Sequence, residues 1–223
     1  MKKINYVILF IVLSVTMLAA QSKYGIGINA LYTTPTGDFG DVYKSGFGGI
    51  ASLTYEANES IQLSLNLGYE EFGFNNDKYN QMLVDFFGAF DKTTTIDIQS
   101  KLNIIPVMIG GKYFLTSSSF RPYAAVDLGM HIVSVSASSI IINGESITAV
   151  ASQSTAVFAW GIGAGFLYKI GPKIDLDVNA KINGNSLEVG TSMSTSSSNS
   201  SSSQSSNSTA TYFSISAGLL FAL

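Results

Sequence analysis

Cysteine is absent from the 223 residues, which excludes a disulfide scaffold, a thiolate metal site, a cysteine nucleophile and a lipidated N-terminal cysteine. Histidine occurs once, at His131, leaving little for zinc or acid–base chemistry. Charged side chains make up only 12% of the chain, about half the share usual in soluble domains, so a well-solvated cytoplasmic globule is excluded. Beyond the N-terminal region, no run of about 18 apolar residues exists to cross a membrane as a helix. Yet 46% of the residues are hydrophobic and the mean hydropathy is +0.30, so that apolar content must be organised with a different period.

At the N-terminus, Lys2-Lys3 is followed by an apolar stretch from Tyr6 to Leu18 and then by Ala19-Ala20-Gln21. A charged segment, a short apolar core and small residues describe a signal peptide, with cleavage expected after Ala20. An uncleaved anchor is disfavoured because the apolar core is short for a bilayer span. The domain is then residues 21–223, and removal of Lys2 and Lys3 leaves 10 basic against 15 acidic residues. That acidic balance argues against nucleic acid as a partner.

The period that replaces the helix is two. From Ile174 to Asn183 every even residue is apolar and every odd one polar or charged. Tyr24, Ile26, Ile28, Ala30 and Tyr32 alternate with Gly25, Gly27, Asn29 and Thr33, while Ile61, Leu63, Leu65, Leu67 and Tyr69 alternate with Gln62, Ser64, Asn66, Gly68 and Glu70. Eight such runs are expected, near 23–34, 46–55, 60–72, 96–115, 121–136, 154–169, 173–184 and 210–223. Their connections alternate between long and short, the long ones at 35–45, 73–95, 137–153 and 185–209. An even number of strands with short turns on one rim and long loops on the other describes an all-β, eight-stranded antiparallel transmembrane barrel.

Composition then assigns the faces. Leu, Ile, Val, Phe and Tyr on one side meet lipid; Gly, Ser, Asn, Asp and Lys on the other fill the lumen. Tyr24 and Tyr32, Phe47 and Tyr55, Trp160 and Tyr168, and Phe213 and Phe221 are each eight residues apart on the outward face. Eight tilted residues span about 20 Å along the membrane normal, close to the ~25 Å band between aromatic girdles. The inverse arrangement, a soluble lipocalin-like cup, would expose Gly, Ser and Asn with too few charges. One strand resists simple phasing: with even residues outward through Ile98, Leu102 and Ile104, a bulge near Ile105-Pro106 is needed to turn Lys112 inward.

With these strands placed, the chain resembles the small outer-membrane barrels of the OmpX, OmpA-transmembrane and OmpW types. The resemblance rests on Pro35-Thr36-Gly37-Asp38-Phe39-Gly40, on Ile105-Pro106-Val107-Met108-Ile109-Gly110-Gly111-Lys112-Tyr113-Phe114, and on Arg121-Pro122-Tyr123-Ala124-Ala125-Val126-Asp127-Leu128-Gly129. It covers nearly the whole mature chain and specifies a barrel rather than an activity. It implies location in the outer membrane, contact with outer-membrane lipids, and handling by the barrel assembly machinery through the last strand, Phe213 to Leu223. That signal typically ends in an aromatic residue, where this chain has Leu223.

In the same frame Glu70, Lys101, Lys112, Asp127, His131, Asp175, Asp177 and Lys181 form a polar lumen network. Eight strands enclose a space that side chains fill, so a hydrogen-bonded plug is expected, with a narrow conduit as the alternative. His131 is the single candidate general base. Asp127 lies about 13 Å along the same strand and Ser134 and Ser136 point the other way, so catalysis would need a partner from another strand. Gly161, Gly163 and Gly165 lack the following helix of a dinucleotide site, and Asp38-Phe39-Gly40 lacks a catalytic loop. No cofactor is expected.

Function is then expected in the long loops. Tyr79, Met82, Leu83, Phe86, Phe87 and Phe90 follow a helical period, with Asn76 or Asp77 as N-cap; the helix either covers the barrel mouth or offers an apolar patch to a surface partner. Residues 192–208 hold twelve serines and read as a flexible extension. A structural or cell-surface interaction role is expected, with a channel or carrier for small or hydrophobic solutes, or a lipid-modifying enzyme, as alternatives.

Overall fold

A computed structural model describes residues 23–87, 96–142, 145–186 and 210–223. Eight strands run β1 Tyr24–Thr36, β2 Gly46–Asn58, β3 Ile61–Gly73, β4 Ile96–Phe114, β5 Phe120–Ile142, β6 Glu145–Lys169, β7 Ile174–Asn185 and β8 Ala210–Ala222. Each pairs antiparallel with the next, and β1 closes on β8 from Gly25↔Ala222 to Thr36↔Thr211. The leader residues 1–20 and the serine tract lie outside the described residues.

Period-two patterning sorts the faces as composition required. Along β1, Asn29, Leu31 and Thr33 are buried, whereas Ile28 is 61% exposed. Phe47, Ile109, Leu128 and Ile215 also stand outward and exposed, so the apolar surface is on the outside, where lipid satisfies it. The inverted cup is thereby excluded. The turns at one end are short, at 59–60, 115–119 and 170–173.

Two expectations about strands are corrected. The stretch 137–153 is not a long loop: β5 and β6 continue as one ribbon, pairing from Ala137↔Ala151 out to Ile142↔Glu145. Ile140, Ile141, Ile142, Ile147 and Val150 carry the β-branched bias that favours strand, and the intervening Asn143-Gly144 is the strongest two-residue hairpin signal in a sequence. Nor is there a bulge at Ile105-Pro106. The β4–β5 register runs unbroken from Ser100↔Ala137 to Phe114↔Tyr123, with its irregularity at Gln99/Ser100 instead. Even residues of β4 face inward throughout: Leu102, Ile104, Pro106 and Met108 are buried. Pro106, which has no N–H to donate, sits where the β3–β4 ladder is interrupted between Leu67↔Val107 and Glu70↔Ile104. Gly68 opposite leaves room for its ring. Lys112 therefore reaches the lumen without any change of phase.

Two helices belong to the outer end. α1, Asp38–Val42, follows Gly37, whose φ of 57° a side chain would resist. It drops Phe39 into the mouth of the barrel, 1% exposed, edge-on to Phe72 at 5.4 Å and beside Tyr212 at 6.3 Å. Leu102, Ile104 and Val133 complete this apolar plug. α2, Asn76–Phe87, occupies the expected helical segment, but its N-cap is Asn75, whose side chain accepts the Lys78 N–H at 3.4 Å. Asn76, expected as the cap, instead pins the helix to β4: its side chain accepts the Ile98 N–H at 2.8 Å and donates to Asp97 at 2.6 Å.

Inside the barrel, adjacent strands come close enough that several lumen glycines admit no side chain. A Cβ on Gly218 would collide with the Ile28 carbonyl and the Asn29 Cα across β1. Gly218→Val is therefore expected to destabilise the barrel by about 1–3 kcal/mol. The check is the temperature at which the compact, fast-migrating band of unboiled protein converts to the unfolded band; an unchanged temperature would refute the close packing.

Candidate functional site in the lumen and at the outer rim

Below the aromatic plug the lumen carries a column of charges bonded across the barrel. Asp127 on β5 accepts from Lys181 on β7 at 2.5 Å and from Asn66 on β3 at 3.0 Å. Asp177 on β7 accepts from Lys112 on β4 at 2.6 Å and from the Tyr123 hydroxyl at 2.5 Å. Lys112 also lies over the Tyr123 ring, 4.5 Å from its centroid. These bonds join strands two or three apart in the ring, so they brace the barrel across its lumen. Glu70 accepts from Tyr212 at 3.3 Å beneath the plug. A void of about 70 Å³ remains among these groups, enough for a few waters.

His131 is 2% exposed, its Nδ1 3.2 Å from the Asn185 amide and its ring 6.2 Å from that of Tyr212. Asn185, rather than a serine or a carboxylate, is its hydrogen-bond partner. Ser134 points away from it and donates to Ser154 at 3.0 Å.

Of the eight network residues, Glu70, Lys112, Asp127, His131, Asp177 and Lys181 line the lumen void, and Asp175 lies lower, in the cavity at the short-turn end. Lys101 is a correction. As an odd residue of the unbroken β4 it faces outward, 63% exposed, and pairs with Glu71 at 2.6 Å. Asn103, also outward, accepts from Tyr69 at 2.9 Å. The lumen side that Lys101 was expected to occupy is filled here by Leu102 and Ile104, which pack into the apolar plug. Tyr123, Tyr212 and Asn185 were missed from sequence; their inward parity was the available signal, obscured because two of them are aromatic and aromatics suggest the lipid face.

On the outer face the aromatic spacing becomes cross-strand contact. Tyr24 packs tilted against Tyr55 and Tyr32 against Phe47, each pair with centroids 5.1 Å apart. Tyr168 is paired in register with Phe120, whose ring lies 5.2 Å from Phe166. Trp160 covers Gly184 of the neighbouring strand, and Phe213 and Phe221 pair with Ile182 and Ile174.

At the outer rim α1 and α2 are clamped by Lys44–Asp77 at 2.8 Å and Lys78–Asp41 at 2.6 Å, exposed pairs of small energetic weight. On the helix, Tyr79 packs against Phe74 at 5.6 Å and Met82 is 54% exposed. Phe90 and the side chains of Leu83, Phe86 and Phe87 lie outside the described residues. Beyond the rim, the outer parts of β4, β5 and β6 continue as a three-stranded sheet. Its two edges differ: the β4 edge is covered by Asn76 and by Phe74, whose N–H reaches Ser100 at 3.2 Å. The β6 edge has no such cover among the described residues, since β7 pairing stops at Ala159↔Asn185 and the Ser186 N–H ends the ladder on Phe158.

The family model for the outer membrane protein beta-barrel domain matches residues 6–221. No curated protein matches the chain. Among solved structures, Neisserial surface protein A is 16% identical, covering 90% of this chain and 97% of its own, with a TM-score of 0.49. The attachment invasion locus protein Ail of Yersinia pestis is 15% identical, covering 89% and 97%, with a TM-score of 0.40. OprG of Pseudomonas aeruginosa is 12% identical, covering 89% and 94%, with a TM-score of 0.44.

The cross-lumen pairs make a two-sided prediction. Asp127→Ala strands the Lys181 ammonium and is expected to cost about 3–5 kcal/mol, whereas the double change Asp127→Leu with Lys181→Met is expected to be near neutral. Urea midpoints of the folded barrel check this, and equal losses in both variants would refute it.

Proposed function

Because this chain belongs to the outer membrane protein beta-barrel domain family, and so lies in the outer membrane, we propose that it works as a cell-surface interaction protein without catalysis or solute conduction. The observation that carries this reading is the contrast between its two outer features. The lumen is shut by Phe39, Phe72 and Tyr212 above paired charges. The β4–β6 sheet, by contrast, stands beyond the rim with the β6 edge from Glu145 to Val157 unpaired among the described residues. An exposed strand edge presents a row of N–H and C=O groups that a partner's extended segment can join.

The absence of catalysis is supported by His131, whose amide partner offers no route to activate a nucleophile. Export with cleavage after Ala20, and assembly through the Phe213–Leu223 strand by the barrel machinery, complete the proposal. The paired aromatic rings set the barrel against outer-membrane lipids.

Two measurements test it. In planar bilayers the purified barrel is expected to give no discrete current steps; reproducible openings would sink the closed-lumen reading in favour of a channel. Replacing residues 138–150 with Asn-Gly is expected to leave the heat-modifiable band intact while abolishing adherence of intact cells to one another and to protein-coated surfaces. Unchanged adherence would remove the ribbon from the proposal.

A further inference from the structure

The ribbon beyond the outer rim ends its sheet on an edge with no guard written into its sequence. At the rim the Phe158 carbonyl of β6 accepts the Ser186 N–H at 3.0 Å, which marks the side of β6 that β7 occupies. Above Ala159↔Asn185 the β7 ladder stops, and from Glu145 to Val157 that side of β6 has no strand paired to it among the described residues. Natural sheets protect such an edge with lysine, proline or an inward-pointing charge. From Ser146 to Val157 there is no charged residue and no proline, and Glu145 is the single charged residue between Ile132 and Val157. The opposite edge of the same sheet is built otherwise: Asp97 and Lys101 punctuate β4, and Asn76 covers it.

An uncharged edge gives a charged partner no purchase, and it does not repel itself. Pairing between identical edges is two-fold symmetric, and two strands joined along the same edge by a two-fold axis run antiparallel. Copies in one membrane point the same way, so their β6 strands do not meet this requirement; copies in facing membranes run head-on and do. Barrels of this architecture carry their long connections outside the cell, and the ribbon rises from that rim. We propose that the β6 edge pairs antiparallel with the β6 edge of a second copy of this chain on a facing surface, so that the two β4–β6 sheets become one. The proposal rests on the surface role put forward above and names its partner.

Overlap of the outer segments, residues 145–151, places the two Glu145 residues at opposite ends, so no like charges face one another. Phe158, 57% exposed, marks the upper lipid-facing level of β6. Thr148, the middle of the overlap, lies ten residues further out. At about 3.3 Å per residue, paired copies hold two membranes at most about 70 Å apart. Contact is thereby confined to surfaces whose glycans are short.

Vesicles test it. The full chain is reconstituted in phosphatidylcholine vesicles carrying either of two dyes, and clustering is read by turbidity and energy transfer. Clustering is expected when both populations carry the chain and is expected to be absent when only one does. Thr148→Lys in both populations, or Thr148→Glu in both, is expected to abolish clustering by setting like charges edge to edge, with the heat-modifiable band intact. Mixing the Lys population with the Glu population is expected to restore it. Clustering with chain-free vesicles, no recovery in the mixed populations, or association confined to copies within one vesicle would each overturn the proposal. Clustering gained only on deletion of residues 192–208 would also overturn it, by assigning the edge to the chain's own loop. No clustering in vesicles, with cell adherence still lost on replacement of residues 138–150, overturns self-pairing alone; adherence unchanged by that replacement overturns the surface role.

Discussion

Hydrocarbon offers no hydrogen bonds, so every backbone N–H and C=O that crosses the bilayer must find a partner inside the protein. A sheet meets that demand only by leaving no edge at membrane depth, which is what the pairing of β1 with β8 accomplishes. Closure in turn separates two surfaces of opposite chemistry. Residues one apart in sequence end up in lipid or in the lumen, and the alternation of Ile and Leu with Asn, Asp and Lys is the imprint of that division.

A closed ring of eight strands is narrow, and its interior has to be filled. Charge can fill it only if the charges are matched, since an unpaired ion away from water is expensive. Lys112 with Asp177 and Lys181 with Asp127 supply the match, and because the partners sit on different sides of the ring they also hold the walls at a set distance. Above them the filling changes to aromatic and aliphatic groups, with Phe39 delivered from α1 to close the mouth. The same logic accounts for the inward Leu102 and Ile104 and for the outward Lys101 that they displace.

Demands relax away from the membrane, and there the barrel departs from regularity. Beyond the outer rim β5 and β6 continue where lipid no longer requires closure, and the β6 edge has no partner among the described residues while Asn76 of α2 covers the β4 edge. At the short-turn end a cavity is lined by Lys23, Lys169 and Lys173 together with Glu59 and Asp175. Function in such a molecule is expected at these two ends, because the middle is committed to holding the ring together.

How much of this was legible in the chain follows from what a period can and cannot encode. Alternation in β1, β3, β7 and β8 specified those strands, the lipid face and the inward positions of Asp177 and Lys181, because side-chain direction in a strand is a local property, whereas Lys112 was expected inward only through a bulge that β4 does not have. The helical spacing after Tyr79 was equally local. Local rules failed on β4, where Leu102 and Ile104 are apolar yet inward; their placement answers to Phe39, a residue more than sixty positions away that arrives through a loop. The ribbon was written in Asn143-Gly144 and its β-branched flanks but lacked the alternation of a two-faced strand, since its surroundings impose no inside and outside. The bonds of Asp127 to Lys181, of Tyr123 to Asp177 and of His131 to Asn185 were decided by tertiary structure alone. Which inward residues meet across the lumen depends on strand tilt and stagger, and those are set only when the whole ring closes.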